Sequence, residues 1–408
     1  MSAIEQPRTP SLAARLGRSE TAAAVQMSTR AREMRAAGHN VISLAIGEPD
    51  FPTPAVGIEA AHRAALDGLT KYPPVDGMPA LKAAIQRKFQ RDQRLDFPPG
   101  QIMVSNGGKQ AIFNAFAATL DDGDEVVIPA PYWSSYALTA QFLGGVAVPV
   151  SCPANNGFRL RPEDLDAAIT PRTKWVVLNA PNNPTGAAYT AEQLAALAEV
   201  LRRHHHVWVF SDEIYEHLRY DGLGSVSIAA VAPDLADRVL VMSGVSKTYA
   251  MTGWRIGFCG GPAGLIAAMG VVQSHATAGI STVGQAAAAA VLDAPQAMVA
   301  EMVAAYHRRR DLVVNGLRQA SGITCAVPEG AFYVFPSVAG CIGRVSAGGR
   351  AIETDRDFAL ALLEEQHVAV VHGAAFGMSP HVRISYATDD ASLAEACSRV
   401  IEFCQGLR

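Results

Sequence analysis

Five short apolar runs in this chain are each followed by residues whose types can do chemistry. Gln101–Val104 leads into Ser105-Asn106-Gly107-Gly108-Lys109, and Glu125–Ile128 into Pro129-Ala130-Pro131-Tyr132-Trp133. Lys174–Asn179 leads into Pro181-Asn182-Asn183-Pro184-Thr185-Gly186, and Val207–Phe210 into Ser211-Asp212-Glu213-Ile214-Tyr215. Val239–Met242 leads into Ser243-Gly244-Val245-Ser246-Lys247. Ligands of open α/β sheets bind beyond the carboxyl ends of the strands, so five such clusters on one edge describe a site. Lys247 is a loop amine that can condense with an aldehyde. Asp212, at a strand end, can face a ring nitrogen and keep it protonated as part of an electron sink. Gly107-Gly108-Lys109 opens a helix whose backbone N–H groups suit a phosphate dianion. Arg255, a few residues beyond Lys247, can add a charge-assisted clamp. Trp133 can stack on a pyridine face, and Asn183 and Tyr215 can hydrogen-bond a ring oxygen. These are the needs of one cofactor, pyridoxal 5′-phosphate.

Taken singly, each residue has a plain structural reading. Asp212 alone reads as a helix N-cap. Lys247 alone reads as a solvated loop lysine, and Gly107-Gly108 and Pro184-Thr185-Gly186 as turns. Their joint order, each after its own strand, argues for a site. The run His204-His205-His206 lacks spaced Cys or carboxylate partners and reads as a helix C-terminus, so no metal is expected. No Gly-x-Gly-x-x-Gly follows the first strand, which argues against a nicotinamide dehydrogenase.

These residues need a scaffold to hold them. The chain has 408 residues, enough for two or more domains. Hydrophobic residues make up 49% and charged residues 18%, a globular balance. The net charge of −4, without a basic block, argues against nucleic acid as a partner. No run of apolar residues is long enough to cross a membrane. Six cysteines without a C-x-x-C pair point to reduced thiols and a cytoplasmic protein. The first 20 or so residues read as polar and weakly ordered. Val146–Val150 and Ile256–Gly260 complete a set of seven strand candidates. Helix candidates Lys109–Leu120, Ala191–His204 (with Thr190 as N-cap) and Val283–Leu292 lie between or after them. That alternation predicts an α/β domain with a largely parallel sheet. The last third changes texture: a long amphipathic helix over Glu301–Ala320, then isolated strands at Gly330–Phe335, Val368–Val371 and Val382–Tyr386. Residues 22–54 carry a helix, Ala22–Ala37, and a short apolar stretch, Val41–Ala45, expected to pack with that C-terminal part.

As a set, GEPDF (47–51), TKYPPVDG (70–77), GGKQ (107–110), PYW (131–133), PNNPTG (181–186), SDEIYEHL (211–218), SKTYAMTGWRIG (246–257) and VRISYAT (382–388) resemble the class I aminotransferases. This is the aspartate aminotransferase family of fold-type I pyridoxal phosphate enzymes, and the chain looks most like its bacterial aspartate/prephenate subgroup. The resemblance implies a large domain with a seven-stranded, mostly parallel sheet and a small α+β domain. The boundaries are 57–303 for the large cofactor-binding domain, 22–56 with 304–408 for the small one, and 1–21 for an N-terminal arm. It makes Lys247 the Schiff-base lysine and proton shuttle, Asp212 the pyridinium partner and Tyr215 the partner of the 3′ oxygen. Gly107, Gly108, Lys109 and Arg255 lie at the phosphate. Arg383 grips the substrate α-carboxylate, helped by Asn183, Trp133 and the backbone of Gly47. Tyr72 reaches the phosphate of a neighbouring subunit, which implies a homodimer.

Three departures from the family pattern carry expectations. Gly244 stands where many relatives have a hydroxyl, so Ser243 or Ser246 is expected to serve the phosphate. No Lys or Arg lies between Arg255 and Arg308, so one subgroup's arginine for the distal carboxylate is absent and Lys109 takes that role. A Lys-Pro-Ser-x-Thr-like segment becomes Glu20-Thr21-Ala22-Ala23-Ala24, and an acid there repels a distal carboxylate. That argues against prephenate and for a changed donor preference. The expected activity is ping-pong transfer of an amino group from an L-amino acid, aspartate-like by preference, to 2-oxoglutarate or another 2-oxo acid. The alternatives are a different donor (aromatic, alanine or basic) and a lyase or decarboxylase on the same scaffold. A cofactor-binding regulator would need a DNA-binding extension, and only about 20 residues precede the fold.

Overall fold

Seven runs rich in β-branched and aromatic residues join into one sheet. They are β1 (Ile102–Ser105), β2 (Glu125–Ala130), β3 (Val146–Ser151), β4 (Thr173–Asn179), β5 (Trp208–Asp212), β6 (Val239–Gly244) and β7 (Gly257–Gly260). The computed structural model describes residues 11–18 and 22–408. The strand order is β1-β7-β6-β5-β4-β2-β3. Neighbours from β6 to β3 run parallel, and β7 alone runs antiparallel to both its neighbours. All seven sequence-predicted strands are therefore in this sheet. On β4, Trp175 and Val177 enter the core on one face, Val176 and Leu178 that on the other. Burial on both faces is why these strands read as continuous apolar runs instead of alternating ones. β3 is one of the two edge strands, a place where Pro149, lacking an N–H, is tolerated.

Helices cover both faces. Ala191–Arg203 starts at a capping box in which Thr190 and Gln193 each bond the other's backbone N–H, and His204 is its C-cap. His204 bonds Asp166 and His206 bonds the carbonyl of Thr170. Thr282–Asp293 packs on Ala55–Leu66 and on Pro79–Gln93. The long helix runs Ala297–Leu317, a few residues earlier than expected, with Gln296 as its N-cap.

A second core joins both ends of the chain. Met27, Ala31, Val41, Leu44 and Ala45 bury with Phe358, Leu362, Val400 and Phe403. Ile42–Ser43 pairs in parallel with Val368–Ala369. Val371–His372, Val382–Ser385 and Tyr333–Val334 form a three-stranded antiparallel sheet. The expected single strand Val368–Val371 is thus two, because the chain leaves one sheet for another at Val370. Cys397 and Cys404 lie on the buried side of the helix Asp390–Gln405, and all six cysteines are buried and unpaired. Residues 14–18 form a 3-10 helix beside the helix Ser135–Phe142, more order than composition suggested. Glu20 and Thr21 lie outside the described residues. Among the described residues, no single helix is long and apolar enough to cross a membrane.

Candidate active site

Sheet register sets the first layer of the site. Asn179 on β4 pairs with Asp212 on β5, and Asp212 with Met242 on β6. Adjacent strands lie about 4.8 Å apart, so these residues form one row at the carboxyl edge. Beyond the row is a cavity of about 420 Å³. It is walled by Gly108, Lys109, Trp133, Asn183, Tyr215, Ser246, Lys247 and Arg255 from the large sheet and its loops. Ala45, Ile46, Gly47, Tyr333, Arg383 and one face of the helix Ala23–Ala36 close it from the other core.

Asp212 is buried with few partners. One carboxylate oxygen accepts the Ile214 N–H at 3.1 Å, and the other accepts the Tyr136 hydroxyl. Burial pushes its pKa up to about 6, with the Tyr136 bond opposing. Among the described residues no cation hydrogen-bonds to it, so it is a buried anion awaiting a positive partner. A protonated ring nitrogen is such a partner. Lys247 donates from Nζ to the Gly47 carbonyl at 2.6 Å. Burial lowers its pKa to about 8, which favours the neutral, nucleophilic amine. The Tyr215 and Tyr333 hydroxyls lie 2.8 Å apart, and burial raises the pKa of Tyr215.

An anion site lies at the head of the helix Gly108–Ala117. Gly107 is its N-cap at φ 76°, a left-handed conformation that suits glycine. A Cβ there would lie 2.3 Å from Arg255 Nη2. That guanidinium is fixed by the carbonyls of Thr252 (2.9 Å) and Asn106 (3.2 Å). Orphan N–H groups, a helix dipole and an arginine therefore converge, the requirements of a phosphate. Lys109 sits with Nζ 5.2 Å from the Trp133 ring centre. Burial, then the charge of Arg255, lowers its pKa.

Arg383 anchors the opposite wall. It lies between Tyr333 and Phe376 rings, 4.7 and 5.0 Å from their centres. Nη1 donates to Asn183 Oδ1 at 3.0 Å and Nη2 to the Ala45 carbonyl. Among the described residues its buried Nε has no partner, a free donor suited to a carboxylate. Gly47 must be glycine here, since a Cβ would overlap the Tyr333 hydroxyl at 1.8 Å.

Two predicted residues are not brought to the cavity. Ser243 is still on β6, one residue past Met242, so its side chain points to the opposite face. Its hydroxyl donates to Glu216 at 2.6 Å, which corrects its assignment to the phosphate; Ser246 does line the cavity. Tyr72 is 93% exposed and lies outside the cavity of its own chain. Sequence reasoning missed Tyr136, Asn179 and Tyr333. Asn179 had a signal, as the polar end of a named strand; Tyr136 and Tyr333 are brought in by tertiary packing. Also missed was a buried layer beneath the site. There Lys88 Nζ meets Glu216 at 2.6 Å. Glu213 accepts from Ser211 and Ser227.

Residues 39–400 match the family model for aminotransferase class I and II. The chain belongs to that family. It is 53% identical over 393 residues to an aspartate/prephenate aminotransferase of Cereibacter sphaeroides, covering 96% of this chain and 98% of that one. The crystal structure of the Rhizobium meliloti aspartate aminotransferase superposes with a TM-score of 0.95 at 50% identity, covering 98% of this chain and all of that one. An aspartate aminotransferase of Thermus thermophilus, solved with maleate, superposes at 0.90 with 41% identity, covering 97% and 100%. The chain is thus a fold-type I, pyridoxal phosphate-dependent transaminase, and transamination holds over the lyase and decarboxylase alternative.

Proposed function

We propose that this enzyme transfers the amino group of an acidic amino acid, aspartate or glutamate, to 2-oxoglutarate or a similar 2-oxo acid. The observation that carries this reading is Lys109. It is an exposed cation on the cavity wall, without a carboxylate partner among the described residues, and the ring-clamped Arg383 lines the same cavity. Two cations suit the two carboxylates of one substrate. The relative solved with maleate, itself a dicarboxylate, lends support.

When bound, pyridoxal phosphate supplies the electron sink that stabilises negative charge at the substrate Cα. Asp212 would hold the ring nitrogen protonated. Gly107, Gly108, Ser246 and Arg255 would bind the phosphate. Tyr215 and Asn183 would hydrogen-bond the ring oxygen, and Trp133 would stack on the ring. Arg383 binds the α-carboxylate bidentately, with Asn183 and Gly47 beside it. Lys247 would hold the cofactor through its amine and, once displaced by substrate, its Nζ would be the base that takes up the substrate Cα proton.

In this reading the chain divides into an arm (1–21), a small domain (22–56 with 304–408) and a large domain (57–303), with the cavity between the two domains. It works as a homodimer in the cytoplasm, with Tyr72 reaching the partner's phosphate. Support for the dimer comes from the exposed Val56, Ile58, Leu66, Leu69 and Tyr72, an apolar run that water alone leaves unfavourably solvated. The test is a titration of the holoenzyme with aspartate, glutamate, alanine, phenylalanine and lysine, followed by the cofactor's absorption. Aspartate and glutamate should convert it at the highest kcat/KM. A better conversion by any of the other three would overturn the acidic-donor reading while leaving transamination intact.

A further inference from the structure

Six ionisable residues line the cavity with a defined charge: Asp212 is the acid, and Arg32, Lys109, Lys247, Arg255 and Arg383 are the bases. In the reading above, Asp212 is matched by the ring nitrogen and Lys247 is consumed in holding the cofactor. Arg255 is matched by the phosphate and Arg383 by the α-carboxylate. Lys109 has been assigned to a distal carboxylate. Arg32 is left over.

Its position is built by the helix Ala23–Ala36. Ala24, Val25, Ser28 and Arg32 all line the cavity. Spacings of three and four residues place them on one stripe, so this face of the helix is the wall of the site. The neighbouring arginines of the same helix are committed to the protein. Arg30 pairs with Glu364, and Arg35 donates to the Val41 carbonyl at 2.8 Å. Arg32 bonds the hydroxyl of Thr29, one turn back on its own helix, at 3.1 Å. Among the described residues it has no carboxylate within ion-pair distance. A guanidinium facing a cleft whose one other unmatched cation is Lys109 is electrostatically unfavourable until an anion arrives. Its planar fork suits a carboxylate better than a lysine does.

We propose that Arg32 is a specificity-determining residue that binds the distal carboxylate of acidic substrates, so that this group is held jointly by Lys109 and Arg32. The role rests on the acidic-donor reading above and adds a second element to it. Lys109 comes from the head of a helix on the large sheet. Arg32 comes from the helix that roofs the cavity, so an acidic side chain ties the two walls together. A donor with an apolar side chain leaves Arg32 unmatched and gains nothing from it.

The experiment compares the holoenzyme with R32Q and R32K. Two quantities are measured: the ratio of kcat/KM for aspartate to that for alanine, and the Kd of the non-reacting dicarboxylate succinate, read from the cofactor spectrum. R32Q should lower the aspartate-to-alanine ratio and weaken succinate about tenfold each, the size of one exposed charge-assisted contact. R32K should restore part of both. The unchanged cofactor spectrum of R32Q before substrate is added checks that the site is folded. If the parent enzyme prefers aspartate and R32Q keeps the same ratio and the same succinate Kd, Arg32 has no such role and the acidic-donor reading stands. If the parent shows no preference for aspartate over alanine, both fail together.

Discussion

Asp212 is the residue whose replacement should pull stability and activity in opposite directions. In the cofactor-free protein its carboxylate is buried with no cation hydrogen-bonded to it among the described residues, and its pKa stands at about 6 against an ordinary 3.8. That gap corresponds to about 3 kcal/mol. The folded protein holds this proton more tightly than the unfolded chain does. The penalty is therefore absent below the unfolded pKa of 3.8, grows as pH rises towards about 6, and is level above it. Asp212→Asn removes the charge at nearly constant shape. Asn Oδ1 still accepts the Ile214 N–H, and Nδ2 can donate to the Tyr136 oxygen once that hydroxyl turns from donor to acceptor. Denaturant titration of cofactor-free parent and variant should show the variant more stable by about 3 kcal/mol near pH 8, and by roughly half as much near pH 5. With cofactor bound the order reverses, because the ring nitrogen then lacks its counter-charge, and most of kcat should be lost. A variant no more stable than its parent near pH 8, or one whose advantage does not shrink in acid, refutes the picture of Asp212 as a buried anion held in waiting.

Other consequences follow from the same geometry. Arg383→Ala removes a charge-assisted, bidentate contact and should lower kcat/KM about 100-fold or more for every amino acid, mainly through KM; a loss confined to acidic donors would make Arg383 a side-chain reader instead. Lys88→Met leaves Glu216 buried without its counter-ion and should cost about 3–5 kcal/mol in denaturant titration, largely recovered by adding Glu216→Met; a neutral single variant would show that the pair is not desolvated as described. The rate at which cofactor-free protein captures pyridoxal phosphate should rise with pH and level off near 8, where burial has set the Lys247 amine; a rate still climbing towards the ordinary lysine value would contradict that burial effect.

The large sheet was legible because parallel strands buried on both faces write themselves as apolar runs, and because each run ends in the polar residues of the site. The anion site was legible for a similar reason: Gly107-Gly108-Lys109 is local, and its function depends on backbone N–H groups. The meeting of Arg383 with Asn183 came from the family resemblance, and contacts across the fold that no motif carries could not be read. Nothing near Tyr136 in sequence says that its hydroxyl bonds Asp212, nor that Tyr333 meets Tyr215. Ser243 was misplaced because β6 runs two residues further than its apolar core, and one residue on a strand decides which face a side chain takes. The break at Val370 was hidden because both of its flanking strands are apolar. Arg32 was hidden among the arginines of its helix, and only the neighbours' commitments to Glu364 and Val41 set it apart.

The central claim is that Lys247 carries the cofactor. The chain has six lysines, at 71, 82, 88, 109, 174 and 247. Lys82, Lys88 and Lys174 are paired with Asp76, Glu216 and Asp124, and Lys109 and Lys247 are those at the cavity. The direct measurement is borohydride reduction of the holoenzyme, proteolysis and mass spectrometry of the modified peptide. The label is predicted on Lys247, within the peptide carrying Ser246 and Thr248. A label on Lys109 would contradict the account at its centre, since the aldehyde would then lie at the wall assigned to the substrate's distal carboxylate.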